Sequence, residues 1–215
     1  MGEIRDTVAI GPHRLEGSLA LPSRAAGLII FAHGSGSSRH SPRNTRVAEQ
    51  LNEARFGTLL FDLLTGPESG DRHNVFDIPL LGGRVVNAVE WVRAEPLLQA
   101  LPVGLFGAST GAAAALVAAA ALPGNVEAVV SRGGRPDLAA AALARVESPT
   151  LLIVGENDPE VLELNRSAQA RMHCPTSLTI VPGATHLFEE PGTLDMVVEA
   201  AIRWFEVHLD GARHE

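Results

Sequence analysis

The sequence contains no lysine, a single cysteine and no long apolar run. Cys174 alone cannot form an internal disulfide, and it leaves no cysteine cluster for a structural metal site. The 17 basic residues, all arginine, face 25 acidic ones, and the net charge of −8 argues against a nucleic-acid-binding protein. No apolar run approaches the roughly 20 residues that span a bilayer, and the N-terminus lacks the pattern of a signal peptide. We therefore expect a soluble, cytoplasmic protein without nucleic-acid or membrane partners; the composition leaves its oligomeric state open.

Short apolar runs, separated by helical patterns, predict a layered sheet protein. Glu3–Ile10 and Arg14–Leu21 alternate polar and apolar residues, which predicts an antiparallel hairpin at a sheet edge. Nearly continuous apolar runs are typical of parallel strands buried on both faces. Six such runs follow: Leu28–Ala32, Thr58–Phe61, Val103–Phe106, Ala128–Val130, Leu151–Val154 and Leu178–Val181.

Between these strands, apolar residues recur at the three- and four-residue spacing of helices. The predicted helices are Thr45–Arg55, Leu80–Arg93, Thr110–Ala121, Asp137–Val146, Val161–Met172 and Leu194–His208. Strands that alternate with helices predict an α/β fold with right-handed crossovers. We expect one domain over residues 1–215, with an eight-stranded, mostly parallel sheet and helices on both faces. The most loop-like segment is Gly66–Asn74, and the alanine run Ala139–Ala142 is expected to be helical.

In open sheets of this kind, ligands bind at the carboxyl ends of the strands. After the strand that ends at Phe106 comes Gly107–Gly111, which fits the pattern G-x-S-x-G. A serine on a sharp strand-to-helix turn has strained backbone angles, and its Oγ stands clear of the sheet. Ser109 is therefore the candidate nucleophile. The alternative is a plain glycine-rich turn whose serine caps the following helix.

A second glycine-rich segment, His33–Ser38, follows the strand Leu28–Ala32. Acyl transfer needs backbone N–H groups directed at the developing oxyanion. We assign the N–H groups of Ser35 and Thr110 to this oxyanion hole. The segment lacks the spacing and the lysine of a phosphate-binding P-loop. His33 is expected to stabilise this loop, not to act as a second base.

Two further strand ends supply an acid and a base. Asp158 follows the strand Leu151–Val154 and can orient an imidazole, with Glu156 as the alternative acid. His186 lies on a glycine-containing loop just beyond the last strand, where a general base could reach Ser109. The chain order Ser109, Asp158, His186 is the order expected for α/β-hydrolases.

With these residues in place, the sequence resembles the α/β-hydrolase superfamily, and within it the small dienelactone-hydrolase-like proteins. The resemblance covers Leu28 to Phe205 and depends on the segments IIFAHGSGSS, FGASTGAAAAL, LLIVGENDP and VPGATHLF. It implies a capless cytosolic hydrolase of esters or lactones.

Two departures change what the resemblance implies. Dienelactone hydrolases carry a cysteine nucleophile in G-x-C-x-G, whereas position 109 is serine, which favours general carboxylic esters. The segment Val129–Leu138 also resembles the hydrolase-like half of proteins that carry a phosphoribosyltransferase domain, and we expect no such domain here. Only Ser131–Pro149 could hold a cap, and most of it is expected to be one helix, so the site should be open and shallow.

The sequence therefore predicts a serine hydrolase that cleaves small carboxylic esters or lactones through an acyl-enzyme. We expect no cofactor and no metal, since H-E-x-x-H and paired His/Cys spacings are absent. The alternatives are a non-catalytic binding or regulatory module on the same scaffold, or a peptidase, thioesterase or acyltransferase that uses the same residues. Arg132, at the end of the strand beside the nucleophile strand, is a candidate for binding a substrate carboxylate. Otherwise it pairs with a loop acid such as Asp71 or Asp77.

Overall fold

A computed structural model describes residues 3–209, and its centre is a single eight-stranded sheet. The strands are β1 Ile4–Ile10, β2 Leu15–Leu21, β3 Leu28–Ala32, β4 Gly57–Phe61, β5 Val103–Ala108, β6 Ala128–Arg132, β7 Thr150–Gly155 and β8 Thr176–Val181. They lie in the order β1-β2-β4-β3-β5-β6-β7-β8. β2 is antiparallel to both β1 and β4, and all other neighbours are parallel. The predicted edge hairpin and parallel strands are confirmed.

Helices cover both faces of the sheet and divide the core into two layers. They are α1 Pro42–Glu53, α2 Gly66–Ser69, α3 Ile78–Ala94, α4 Thr110–Ala121, α5 Pro159–Gln169 and α6 Thr193–Leu209. α3 and α4 pack on one face, where small alanine side chains of α4 allow a close helix contact. α1 and α6 pack on the other face, around buried aromatic residues such as Phe31, Phe106 and Phe205. Within the described residues, no helix is both long enough and apolar enough to cross a membrane.

The prediction of one helix over Asp137–Val146 was wrong. The segment Pro136–Arg145 consists of 3-10 turns, and the chain leaves helical geometry at Ala140, where φ is 45° and ψ is −114°. Alanine favours helices, yet a helix this short is marginal without tertiary contacts. Those contacts favour the break: the Arg171 guanidinium donates a hydrogen bond to the Ala140 carbonyl at 2.9 Å. The segment between β6 and β7 therefore holds only these turns and no cap.

The segment Gly66–Asn74 also differs from the expected loop, because it begins with the single helical turn α2. Thr65 and Glu68 form a capping box around the start of this turn. The Glu68 carboxylate also accepts a hydrogen bond at 2.7 Å from Arg84, whose side chain is buried in α3. The ion pair fixes α2 against α3 beside the edge of the sheet where ligands are expected.

Alanine substitution at two adjacent glycines in α3 should change the stability of the protein in opposite directions. A Cβ at Gly82 would lie 2.6 Å from Val117 Cγ1 of α4, whereas a Cβ at Gly83 would meet nothing within 4 Å. Gly83→Ala should raise the free energy of unfolding by about 0.5–1 kcal/mol, the usual gain of alanine over glycine in a helix. Gly82→Ala should lower it by about 1–3 kcal/mol through overpacking. Urea unfolding of both variants measures this, and equal shifts would contradict the close α3–α4 packing.

Candidate active site

Ser109 lies on a sharp turn between β5 and α4 with strained backbone angles, φ 52° and ψ −122°. Its N–H donates to the Arg132 carbonyl at 3.2 Å, and its own carbonyl accepts from the Arg135 N–H at 3.1 Å. The Ser109 side chain makes no capping hydrogen bond to α4. The alternative of a helix-capping serine therefore does not fit the structure.

The two glycines of the motif are required because the turn is tightly enclosed. A Cβ at Gly107 would collide with the backbone of Ala112, and one at Gly111 would collide with the carbonyl oxygens of Ala32 and His33. α4 therefore starts in direct contact with the end of β3. This contact brings the loop after β3 beside Ser109, where a Cβ at Gly34 would lie 3.1 Å from Ser109 Cβ.

The structure brings His186 and Asp158 together from the ends of β8 and β7. His186 Nδ1 and Asp158 Oδ2 are 2.7 Å apart, and the aspartate side chain is largely buried while the histidine is partly exposed. Glu156, the alternative acid, instead accepts a hydrogen bond from the Gly183 N–H at 2.9 Å. Asp158 can therefore orient the imidazole, whereas Glu156 holds the backbone of the loop that carries it.

His33 is part of the loop framework. The Leu63 N–H donates to His33 Nε2 at 3.1 Å, so the ring proton is on Nδ1, which donates to the Gly34 carbonyl at 3.0 Å. Burial lowers the pKa of His33, which favours this neutral form. The side chain joins the ends of β3 and β4, as expected for a histidine that stabilises its loop.

Ser35, assigned to the oxyanion hole from the sequence, lies in the loop after β3 and lines the same cavity as Ser109. Its N–H donates to Thr110 Oγ1 at 2.9 Å. Because the threonine hydroxyl is a nearby acceptor on the adjacent turn, the Ser35 N–H is already satisfied within the protein. Thr110, the first residue of α4, has its own N–H at the positive end of that helix.

Ser109 and His186 line the same cavity, which has a volume of about 250 Å³. Arg132 lines the same cavity. A second cavity of about 400 Å³ shares Gly34, Ser35 and Ser37 with the first and is lined partly by apolar residues, among them Leu63 and Leu81. Among residues 3–209, no three His, Cys, Asp or Glu side chains are grouped so that they could hold a metal ion.

Neither loop acid suggested by the sequence pairs with Arg132. Asp71 accepts a hydrogen bond from the His73 N–H, and Asp77 caps the N-terminus of α3 by accepting from the Leu80 N–H. The Arg132 guanidinium instead approaches Asn44 Oδ1, at 3.4 Å from Nη2. That alternative for Arg132 was therefore wrong.

The family model of the α/β-hydrolase domain matches residues 25–204 of this chain. The chain belongs to the α/β-hydrolase family. Its eight-stranded sheet and its lack of a separate cap between residues 3 and 209 agree with this family.

Solved structures place this α/β-hydrolase among the dienelactone-hydrolase-like members. The dienelactone hydrolase of Anabaena variabilis is 51% identical, with a TM-score of 0.92 over 96% of this chain and 97% of that one. An α/β serine hydrolase homologue from Coxiella burnetii shares the fold, with a TM-score of 0.77 at 21% identity over 94% of this chain and 97% of that one.

A curated relative from Mycobacterium tuberculosis, matched in two strains, is 58% identical over 204 residues. It carries the provisional name of a phosphoribosyl transferase. The match covers 95% of this chain but 46% of the relative, so this α/β-hydrolase spans about half the length of the curated relatives it matches.

The first turn of α1, which lines the cavity of this α/β-hydrolase, lies before the start predicted from the sequence. The helix was predicted from Thr45, but it begins at Pro42 with Ser41 as its N-cap. Serine followed by proline is a recognised start signal that could have placed the helix correctly. The earlier start adds Arg43 and Asn44 to the residues around the cavity.

Proposed function

We propose that this α/β-hydrolase is a serine hydrolase that cleaves small carboxylic esters or lactones through Ser109, His186 and Asp158. The observation that carries the proposal is the 2.7 Å contact between His186 Nδ1 and Asp158 Oδ2, beside a serine held at strained angles in the same cavity as the imidazole. A serine becomes a nucleophile when a positioned base removes its proton, and that base is in turn oriented by a third group.

In the proposed reaction, His186 Nε2 takes the proton of Ser109 Oγ as the oxygen attacks the ester carbonyl carbon. Asp158 accepts a hydrogen bond from the Nδ1–H group of His186 and stabilises the imidazolium. The tetrahedral intermediate collapses, the C–O bond to the leaving group breaks, and His186 returns the proton to the departing alcohol. Water then attacks the acyl-enzyme with His186 again as base, which releases the acid and restores Ser109.

The developing negative charge in this reaction needs a preorganised donor. We assign the Thr110 N–H to that role, since it follows the nucleophile directly and belongs to the first turn of α4. The helix dipole of α4 adds a favourable field at the same point.

The names of two relatives suggest different substrates, and they do not carry equal weight for this chain. The Anabaena variabilis relative is named a dienelactone hydrolase and is 51% identical over nearly the whole chain, which supports hydrolysis of an ester or lactone. The transferase name belongs to a longer protein, of which this chain matches 46%, and it therefore bears less directly on the substrate of this chain.

The nucleophile is tested by Ser109→Ala. Loss of the attacking oxygen should lower kcat for p-nitrophenyl acetate by on the order of 10⁶. The fold should persist, because alanine has the same backbone constraints as serine. Ser177→Ala, an exposed position in β8, is the matched control and should keep full activity. Turnover by purified, folded Ser109→Ala at the wild-type rate would contradict the proposal.

The acid is tested by a pair of variants that differ by two positions. Asp158→Asn should slow turnover by roughly 10⁴, because the amide favours the wrong imidazole tautomer. Glu156→Gln should cost far less, since that carboxylate accepts a hydrogen bond from the Gly183 N–H of the loop and forms none with His186 among residues 3–209. Steady-state kinetics with circular dichroism as a folding control separates the two, and a larger loss in Glu156→Gln would move the role of the acid to that residue.

The length of the acyl chain in the substrate tests the size of the acyl site. The cavity at Ser109 holds about 250 Å³ and has no cap above it, so it buries little of a long acyl chain. Each buried methylene contributes only about 0.8 kcal/mol. We expect kcat/KM on p-nitrophenyl esters to be highest for acyl groups of roughly two to six carbons. A maximum at the palmitoyl ester would show a larger acyl site than the one described.

A further inference from the structure

Leu187 is a large apolar side chain that lines the 250 Å³ cavity together with Ser109 and His186. It is 40% exposed, so much of its surface is free to meet a ligand. Every other described residue that lines this cavity is glycine, alanine, serine, asparagine, arginine or histidine. An isolated exposed leucine needs no explanation. This one, however, is the only large apolar side chain that residues 3–209 present to the cavity of the nucleophile.

The turn that carries Leu187 is anchored in the core. The Phe188 N–H donates to the Thr185 carbonyl at 3.2 Å, so His186 and Leu187 are the two central residues of a tight turn. Phe188 is 2% exposed and has a φ of 55°, an angle that bulky residues rarely adopt. Such a conformation persists only where the surrounding packing enforces it. Phe188 belongs to the core on the face of α1 and α6, and it fixes one end of the turn.

The other end of the turn is fixed by Glu190. Its carboxylate accepts hydrogen bonds from the Thr185 hydroxyl at 2.6 Å and from the Thr185 N–H at 3.1 Å. The hydrogen bond from the hydroxyl is the largest of several that hold the pKa of Glu190 below its ordinary value, which keeps the carboxylate ionised as an acceptor. With both ends of the turn held, Leu187 has a defined position relative to the imidazole of His186.

The position of the base determines which part of an ester lies beside Leu187. In the proposed reaction, His186 returns a proton to the departing alcohol, so the leaving oxygen lies within hydrogen-bond distance of Nε2. Nδ1 is occupied by Asp158. The carbon atoms bonded to the leaving oxygen therefore lie next to the turn that carries both His186 and Leu187. The oxyanion donor, the Thr110 N–H, is on a different element, at the start of α4.

We infer that Leu187 binds the alcohol portion of the substrate and makes this α/β-hydrolase selective for esters of apolar alcohols. This inference rests on the proposed function and narrows its substrates on the alcohol side. Contact with the leucine removes apolar surface of the alcohol from water, which is favourable in proportion to the area covered. A polar atom at the same place loses its hydration and finds no partner in the leucine side chain.

The test compares two acetate esters of nearly equal shape. In 2-methoxyethyl acetate an ether oxygen occupies the place of one methylene of n-butyl acetate. The measured quantity is the ratio of kcat/KM for the butyl ester to that for the methoxyethyl ester. Leu187→Asn keeps the size of the side chain and should lower this ratio by about 3- to 10-fold, as expected for the contact of one methylene. An unchanged ratio in folded Leu187→Asn would overturn the inference.

Two control variants show whether the effect belongs to the apolar contact at this position. Leu187→Met retains an apolar side chain and should keep the wild-type ratio. Leu97→Asn should also keep it, because Leu97 is 60% exposed but lies between α3 and β5 and does not line this cavity. An equal fall in Leu97→Asn would overturn the assignment. If Leu187→Asn does not fold, Leu187→Ala decides: a lower ratio supports the contact, and an unchanged ratio overturns it.

A second pair of esters separates the alcohol side from the acyl side. p-Nitrophenyl pentanoate and p-nitrophenyl 3-methoxypropanoate differ by the same exchange of methylene for oxygen, but in the acyl chain. Leu187→Asn should leave the ratio of kcat/KM for this pair unchanged. A fall in the acyl ratio with a constant alcohol ratio would overturn the inference and place Leu187 beside the acyl group.

Transfer of the acyl group to added alcohols tests the same site in the reverse direction. Acetyl-enzyme formed from p-nitrophenyl acetate is offered 1-butanol and 2-methoxyethanol at equal concentration, and the two acetate esters are measured by gas chromatography. The alcohol oxygen attacks the acyl carbon as His186 takes its proton, the bond to Ser109 Oγ breaks, and His186 returns the proton to Oγ. The alcohol must therefore enter the site that the leaving group leaves. The ratio of butyl to methoxyethyl ester should fall in Leu187→Asn by the same factor as in hydrolysis.

Release of p-nitrophenol reports the hydrolase reaction itself and separates the two proposals. Turnover of p-nitrophenyl acetate with unchanged alcohol ratios in Leu187→Asn would overturn the role of Leu187 and leave the hydrolase proposal in place. No turnover of any of these esters by the folded wild-type protein would overturn both.

Discussion

The close contact between the start of α4 and the end of β3 is the constraint on which the site depends. Gly111 lies against the carbonyl oxygens of Ala32 and His33, where a side chain has no room. The contact forces the chain to turn sharply at Ser109 and gives that residue backbone angles that L-amino acids rarely adopt. Hydrogen bonds to the neighbouring strand stabilise this strained conformation. Both backbone polar groups of Ser109 form hydrogen bonds to residues at and after the end of β6.

From this turn, the parallel sheet assembles the remaining groups. Because β3, β5, β6, β7 and β8 all end at one edge, short loops bring Asp158, His186 and Arg132 together although they are far apart in sequence. The loop after β3 is fixed by His33, whose neutral ring joins it to the end of β4. The site is thus built on rigid strand ends, which is how side chains are held to the precision that catalysis requires.

The sequence predicted the parts whose signals are local. Continuous apolar runs located the buried strands, and G-x-S-x-G between a strand and a helix located the turn at Ser109. Prediction from the sequence failed where contacts between distant residues determine the local conformation. Ala140 breaks a segment of high helix propensity because its carbonyl accepts a hydrogen bond from Arg171. The hydrogen bond from the Ser35 N–H to Thr110 Oγ1, 75 residues away, likewise has no local signal in the sequence. The sequence equally showed no sign that Arg132 pairs with neither Asp71 nor Asp77, whose carboxylates accept hydrogen bonds from backbone N–H groups of their own segments.

The central claim is that Ser109 is an activated nucleophile, and covalent labelling tests it most directly. The native protein is exposed to a fluorophosphonate, and the modified peptide is located by mass spectrometry, with heat-denatured protein as the control. We expect one adduct, on Ser109, that forms only in the folded protein and forms far more slowly in His186→Ala. No adduct would contradict it and favour a non-catalytic binding module. Ser35 and Ser37, in the loop after β3, line the same cavity. An adduct on either of them would contradict the role of Ser109 and would place the nucleophile in that loop.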